Sequence, residues 1–219
     1  MFGVENFCAL TGDDVTAGDE KEARRVFDLD GPQLVSVMTG ISQGNYLSGR
    51  KLKREPHMFI GAVENPTAPP LAYRVDRALK KVDAGAKFIQ LQICYQPEML
   101  ENFIRGCVLN GVAKRAALLP TVVFTKGARP LGFLDTSVPG ISVPKAVIDR
   151  VANSEDQAEE SYQLVKEQVI HALGLPGVAG IHFTDFRHDG SLQRMLQELG
   201  LGPKERDRQP QEDKNAYSS

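Results

Sequence analysis

The stretch Tyr73–Tyr95, YRVDRALKKVDAGAKFIQLQICY, reads as a helix, its stop and a strand in direct succession. Val75, Ala78, Leu79 and Val82 recur at three- and four-residue intervals, the spacing that lines one helix face with apolar side chains. Gly85 follows as the residue that most readily takes the left-handed turn ending a helix. Phe88–Cys94 then runs as a mostly apolar strand. Helix, glycine, strand is the joint of a repeating βα unit, and the same joint recurs in both directions along the chain.

Toward the N-terminus, Asn6–Leu10 (NFCAL) is a short apolar run closed by Thr-Gly-Asp-Asp, a strand entering a loop. Asp30 and Pro32 open a helix carrying Leu34, Val37, Met38 and Ile41. A strand spans His57–Val63 and stops at a Pro-rich turn. Toward the C-terminus, a helix over Pro97–Leu109 is stopped by Asn110-Gly111 and leads to a strand over Arg115–Phe124. Short helices follow at Ala128–Leu134 and Pro144–Val151. A longer one spans Glu155–Leu173, with Ser154 and Gln157 spaced as a capping box. The last strand falls within Gly177–Phe186 and the last helix within Leu192–Leu199. The polar segment 202–219 carries too few apolar side chains to offset its ordering entropy and is expected to be a disordered tail.

Residues 1–201 thus form one α/β domain in which five strands alternate with helices. Apolar strands without strict alternation imply a parallel sheet covered by helices. Such a sheet is either doubly wound or a barrel, and in both the chemistry gathers at the C-terminal ends of the strands.

Composition narrows the function. Among 219 residues, 26 basic side chains nearly balance 28 acidic ones, and no basic stripe with interleaved aromatics occurs, which argues against nucleic acid as a partner. No apolar run approaches the ~20 residues of a membrane span, and no leader pattern opens the chain, so a cytoplasmic protein is expected. Cys8, Cys94 and Cys107 are scattered in apolar runs and read as small hydrophobes, with no metal-ligand spacing.

The residues that follow the strands form a polar rim: Thr11, Gly12, Asp13 and Asp14; Glu64 and Asn65; Gln90, Gln92 and Tyr95; Thr125 and Lys126; Thr184, Asp185, Arg187 and His188. Neither a dinucleotide fingerprint nor a P-loop is present. Asp13 suits either a site or a simple turn cap. Lys80 and Lys81 suit the solvated face of an amphipathic helix. Gln92 lies in an otherwise apolar strand and there needs a partner.

Several ordered segments carry a resemblance: LTGDDVTAGD, VFDLDGPQL, YLSGRKL, FIGAVENPTAPP, KKVDAGAKFIQLQICY and VPGISVPKAVIDRV. Together they resemble the methylenetetrahydrofolate reductase family, a flavin-dependent (βα)8 barrel, from about Asn6 to Leu201. The resemblance implies FAD as cofactor, NAD(P)H as electron donor, and reduction of 5,10-methylenetetrahydrofolate to 5-methyltetrahydrofolate, a step of one-carbon and methionine metabolism. It further implies that Asp13 is the catalytic aspartate beside flavin and folate, with Thr11 and Gly12 touching the cofactor. Asn65 falls where relatives carry a flavin-contacting tyrosine. Arg77, Lys80 and Lys81 fall on the helix that contacts the FAD ribose and diphosphate, and Gln92 matches a pterin-binding glutamine. Arg129 and Arg187 lie near the family's remaining folate contacts.

The family barrel has three further βα units ahead of the strand at Asn6, the first bearing the glutamate proposed as general acid. The resemblance therefore implies a partial TIM barrel of about five βα units. Its expected forms are a piece of the reductase, a chain completed by a partner or a second copy, or a non-catalytic subunit or folate- or flavin-binding module that pairs with a separate partner.

Overall fold

The computed structural model of this protein describes residues 3–26 and 28–202. The expected tail lies, apart from Gly202, outside the described residues. Gly85 has φ +121°, directly after the helix α2 (Ala72–Asp83) and its cap Ala84, and it delivers the chain to the strand β3 (Phe88–Leu91). Ala78 and Val82 of α2 are buried, and Val75 and Leu79 pack beside them.

The other units repeat this construction. The strand β1 (Asn6–Ala9) leads to helix α1 (Gly31–Ser42), which begins with a capping box: Asp30 accepts from Gln33 N while Gln33 accepts from Asp30 N. The strand β2 (Phe59–Glu64) precedes α2, and β3 precedes α3 (Pro97–Leu109). The strand β4 (Ala117–Phe124) is followed by three helices, α4 (Ala128–Ser137), α5 (Lys145–Ala152) and α6 (Gln157–Gly174). The strand β5 (His182–Asp185) and helix α7 (Ser191–Glu198) close the series.

All strand pairs are parallel and the spatial order is β1-β2-β3-β4-β5. A doubly wound sheet reverses its strand order at a switch point. This sheet never reverses, so successive crossovers lie on one side and the strands form a half-barrel clad by helices. That settles the architecture as a partial TIM-like α/β barrel.

Strands are shorter than their apolar runs suggested. The third ends at Leu91 rather than Cys94, although Gln92 N still donates to Glu64 O at 2.8 Å. Between β4 and β5 the ladder slips: Leu118 bridges Val178, whereas Thr121 pairs with His182, leaving one extra residue on the β5 side. Pro120, which has no N–H to donate, lies in that interval.

The α6 cap also differs from expectation. Asp156, not Ser154, accepts from Ala158 N and Glu159 N. Ser154 Oγ donates to Asp156 O, and Gln157 reaches out to Ala128 N and Ala152 O. Ile89, Leu91, Leu100, Phe103, Ile104 and Leu118 form the central apolar layer between sheet and helices. Each such side chain contributes about 1.5–3 kcal/mol on burial. The three thiols are unpaired; Cys107 is buried, and burial pushes it up to about 12. No helix among the described residues is long and apolar enough to cross a membrane, and no group of three metal-ligating side chains occurs among them.

Candidate functional site

Parallel strands in register bring their last residues to one edge. There the loop after β1 and the ends of β2 and β3 line a groove of about 330 Å³ that includes Thr11, Gly12, Asp13, Asn65, Gln90 and Gln92. A second hollow of about 520 Å³ shares Thr11, Gly12 and Asp13 and extends over the start of α1 to Arg25 and Arg77. Thr11–Asp13 is therefore the seam between two connected compartments. Gly12 has φ +75°, and a side chain there would meet nothing within 4 Å, so the backbone at the seam is open to a ligand.

The two adjacent aspartates differ. Asp14 caps the short 3-10 turn Val15–Ala17 by accepting from Thr16 N, and Arg25 grips it with two bonds of 2.6 and 2.8 Å. The Arg25 guanidinium holds its carboxyl well below the usual carboxylate range. Asp13 makes no hydrogen bond or ion pair among the described residues and is exposed in the groove. Capping, the alternative role for Asp13, is performed by its neighbour.

Asn65 lines the groove with its amide already engaged. Its Nδ2 donates to Gly140 O at 2.8 Å, and its Oδ1 accepts from Thr67 N and Thr67 Oγ1. Gln92 Oε1 accepts from Ile93 N at 3.0 Å. The amides at strand ends thus help fix the loops around the groove.

The three α2 cations diverge. Arg77 lines the larger hollow. Lys80 turns away to donate to Tyr73 Oη at 2.9 Å, lying over that ring at 4.9 Å. Lys81 is buried, donating at 2.6 Å to both Val63 O and Glu64 Oε2. Burial pushes the Lys81 ammonium down, opposed by the Glu64 carboxylate. A Cβ on Gly31 would stand 3.3 Å from Lys81 Cε and 3.8 Å from an Arg77 nitrogen, so the first turn of α1 rests on these cations.

Glu64 is the residue whose role the sequence did not announce. It is buried, and besides Lys81 it is approached by Arg74 at 3.3 Å and Arg77 at 3.8 Å. Its signal was an acid closing an otherwise apolar strand, FIGAVE. The arginines near the last strands stand apart from the groove: Arg187 is committed to Asp189 and Ala158 O, and Arg129 is exposed on α4.

What the site can do chemically follows from this inventory. It offers one free carboxylate, open backbone beside it, a carboxamide across from it, and the Arg77 guanidinium near the start of α1. Such a groove fits an elongated ligand with an anionic portion near Arg77 and a polar ring near Asp13 and Gln92.

The chain matches the family model described as methylenetetrahydrofolate reductase over residues 1–200. It is 25% identical over 216 residues to the "Probable methylenetetrahydrofolate reductase (NADPH)" of Caenorhabditis elegans, covering 94% of this chain and 30% of that protein. It is 26% identical over 211 residues to methylenetetrahydrofolate reductase 2 of Schizosaccharomyces pombe, covering 91% of this chain and 32% of that protein. The chain thus spans about a third of the length of the curated relatives it matches. In fold it is similar, with a TM-score of 0.56 and 15% identity, to an uncharacterized protein from Clostridium thermocellum that binds two copies of 5-methyl-5,6,7,8-tetrahydrofolic acid. That likeness covers 88% of this chain and 69% of the other. With its half-barrel, its strand-end groove and a family match over nearly its whole length, the chain belongs to the methylenetetrahydrofolate reductase family.

Proposed function

We propose that the groove at the C-terminal ends of β1–β3 is the folate- and flavin-facing site of a methylenetetrahydrofolate reductase. The observation that carries this reading is the free carboxylate of Asp13 beside the open backbone of Gly12. A bound FAD would supply hydride transfer from NAD(P)H to 5,10-methylenetetrahydrofolate.

The residues fit that cofactor. Arg77, with the first turn of α1 beside it, suits a diphosphate. Thr11 and Gly12 allow close backbone approach. Lys81 acts from beneath, holding Glu64 and Val63 O so that the strand end stays fixed. Asp13 stabilises a cationic substrate form as charge develops, because its carboxylate lines the groove free of a competing cation. Gln92 offers its carboxamide to the pterin.

A second reading is supported by the engagement of Asn65, Lys80 and Lys81 with protein partners. On that reading the chain is a non-catalytic folate-binding module of the same ancestry.

The test is to add FAD to the purified chain, record flavin absorbance, and follow NAD(P)H oxidation with and without 5,10-methylenetetrahydrofolate. Asp13→Asn is expected to keep the flavin and to lower folate-dependent turnover by about 10²–10³-fold. Binding of 5-methyltetrahydrofolate without flavin or turnover would select the binding module. Failure to bind either ligand would remove both readings.

A further inference from the structure

Among the described residues, three buried side-chain polar atoms lack a hydrogen-bond partner: Tyr95 Oη, Gln168 Oε1 and His171 Nε2. All three residues line a single cavity of about 320 Å³. It lies on the helix side of the sheet, against Pro120 and Val122 of β4, with Leu100 of α3 and Leu164 and Ala172 of α6 around it. Orphaned polar atoms are few in folded proteins, and their convergence on one void calls for an explanation. The cavity is not part of the groove described above, although Gln92 lines both.

The chemistry of the walls defines an occupant. The surroundings are mostly apolar, which suits the faces of a flat ring. The charged groups at its border are neutralised: Arg150 pairs with Glu160 at 2.6 Å and with Glu167 at 2.7 and 2.8 Å. A charged ligand would find no free counter-charge, so the occupant is neutral. Thr121 Oγ1 meets His182 Nδ1 at 3.1 Å, Cys94 Sγ donates to Gln96 O, and Gln92 Oε1 accepts from Ile93 N, which leaves Gln92 its Nε2. The three buried orphans, with Gln92 Nε2 at the border, remain to read a ligand. Gln168 and His171 are three residues apart on α6 and face the same way. Tyr95 comes from the β3–α3 connection, and its hydroxyl stays protonated because burial pushes its pKa up.

We propose that this cavity binds a neutral, amino-substituted nitrogen heterocycle of pyrimidine type. An amino N–H donates to Gln168 Oε1, a ring nitrogen or N–H pairs with His171 Nε2, and Tyr95 Oη donates to a ring nitrogen or carbonyl. A cavity of this size is at the small end of ligand sites and admits one ring or a compact fused pair. Water is the competing occupant, since the orphans could supply the two to four polar partners a water needs, and the titration below separates the two. Because Gln92 borders both spaces, an occupant here also touches a residue of the strand-end groove.

The test titrates the full chain with cytosine and with 2-aminopyrimidine while recording the side-chain amide signals of Gln168 and Gln92 by NMR. Saturable shifts of both, with a Kd of about 1 mM or tighter, are expected. Tyr95→Phe should weaken binding about tenfold, and Ala172→Leu, which fills the cavity, should abolish it while the rest of the spectrum is kept. Should Ala172→Leu fail to fold, Tyr95→Phe decides alone. No saturable shift for either probe, or equal affinity in Tyr95→Phe or in a folded Ala172→Leu, would overturn the proposal and leave a hydrated void.

Discussion

Lys81 Nζ meets Glu64 Oε2 at 2.6 Å with only 6% and 2% of the two side chains exposed. The contact ties the third turn of α2 to the last residue of β2, one residue before the groove-lining Asn65. The relation is not symmetric. Glu64 has Arg74 and Arg77 close by as further cations, whereas Lys81 has Glu64 as its only carboxylate among the described residues.

That asymmetry predicts unequal losses. Glu64→Leu leaves a buried ammonium without its counter-charge and should cost about 3–5 kcal/mol. Lys81→Met leaves a carboxylate that the two arginines still neutralise, so its cost should be smaller by at least about 1 kcal/mol. The double variant should be more stable than Glu64→Leu alone, because the orphaned charge has gone. Urea denaturation of the three variants checks this; equal losses for the two single variants would show that the arginines give Glu64 no cover.

Gly61 of β2 faces Phe88 of β3 in the sheet register, and a Cβ at Gly61 would lie 2.2 Å from the Phe88 ring. The ring crosses the glycine and stacks on Phe59, with centroids 5.7 Å apart. Gly61→Ala must displace it, so a loss of about 1–3 kcal/mol is expected, as for other overpacked sites. Phe88→Leu in the same background should recover part of that loss, giving a non-additive cycle in the midpoint of chemical denaturation.

Legibility in the sequence divided along the line between local and distant causes. The α3 boundaries follow from Pro97 at its first turn and Asn110-Gly111 at its end, and the structure has that span. Gly85 and the Asp30–Gln33 box are equally local, and both are present. Where two local signals competed, the wrong one could be chosen: Ser154 and Asp156 both precede α6, and only the carboxylate reaches two free N–H groups. Barrel against doubly wound sheet was undecidable from periodicity, because strand order is a property of the whole sheet. At the groove, Asp13 and Gln92 were visible as polar residues at strand ends. The pairing of Lys81 with Glu64, the turn of Lys80 toward Tyr73, and the gathering of Tyr95, Gln168 and His171 all depend on packing between elements distant in the chain.

The last helix is held by charge as well as by its buried anchor Met195. Arg194 bonds Glu159 of α6 at 2.7 and 3.0 Å and stacks 3.9 Å over the Tyr162 ring, while Glu198 accepts from Lys166 Nζ at 2.7 Å and from Tyr162 Oη at 3.0 Å. Arg194 holds the Glu159 carboxyl down at about 2, and Lys166, with Arg194, holds Glu198 down at about 2. Both values lie below the ordinary 4.5, so the folded state favours the ionised forms. The stabilisation is therefore complete above about pH 4.5 and is lost as pH falls through about 2. Because the pairs are exposed, each is weak alone and sensitive to salt, and the effect belongs to the network. Hydrogen exchange should show α7 amides losing protection between about pH 4.5 and pH 2 before those of β3 and β4. Arg194→Met should reduce α7 protection near neutral pH and flatten its acid dependence. An α7 whose protection follows that of the central strands at every pH would show that Met195 and its apolar neighbours hold the helix without help from the charges.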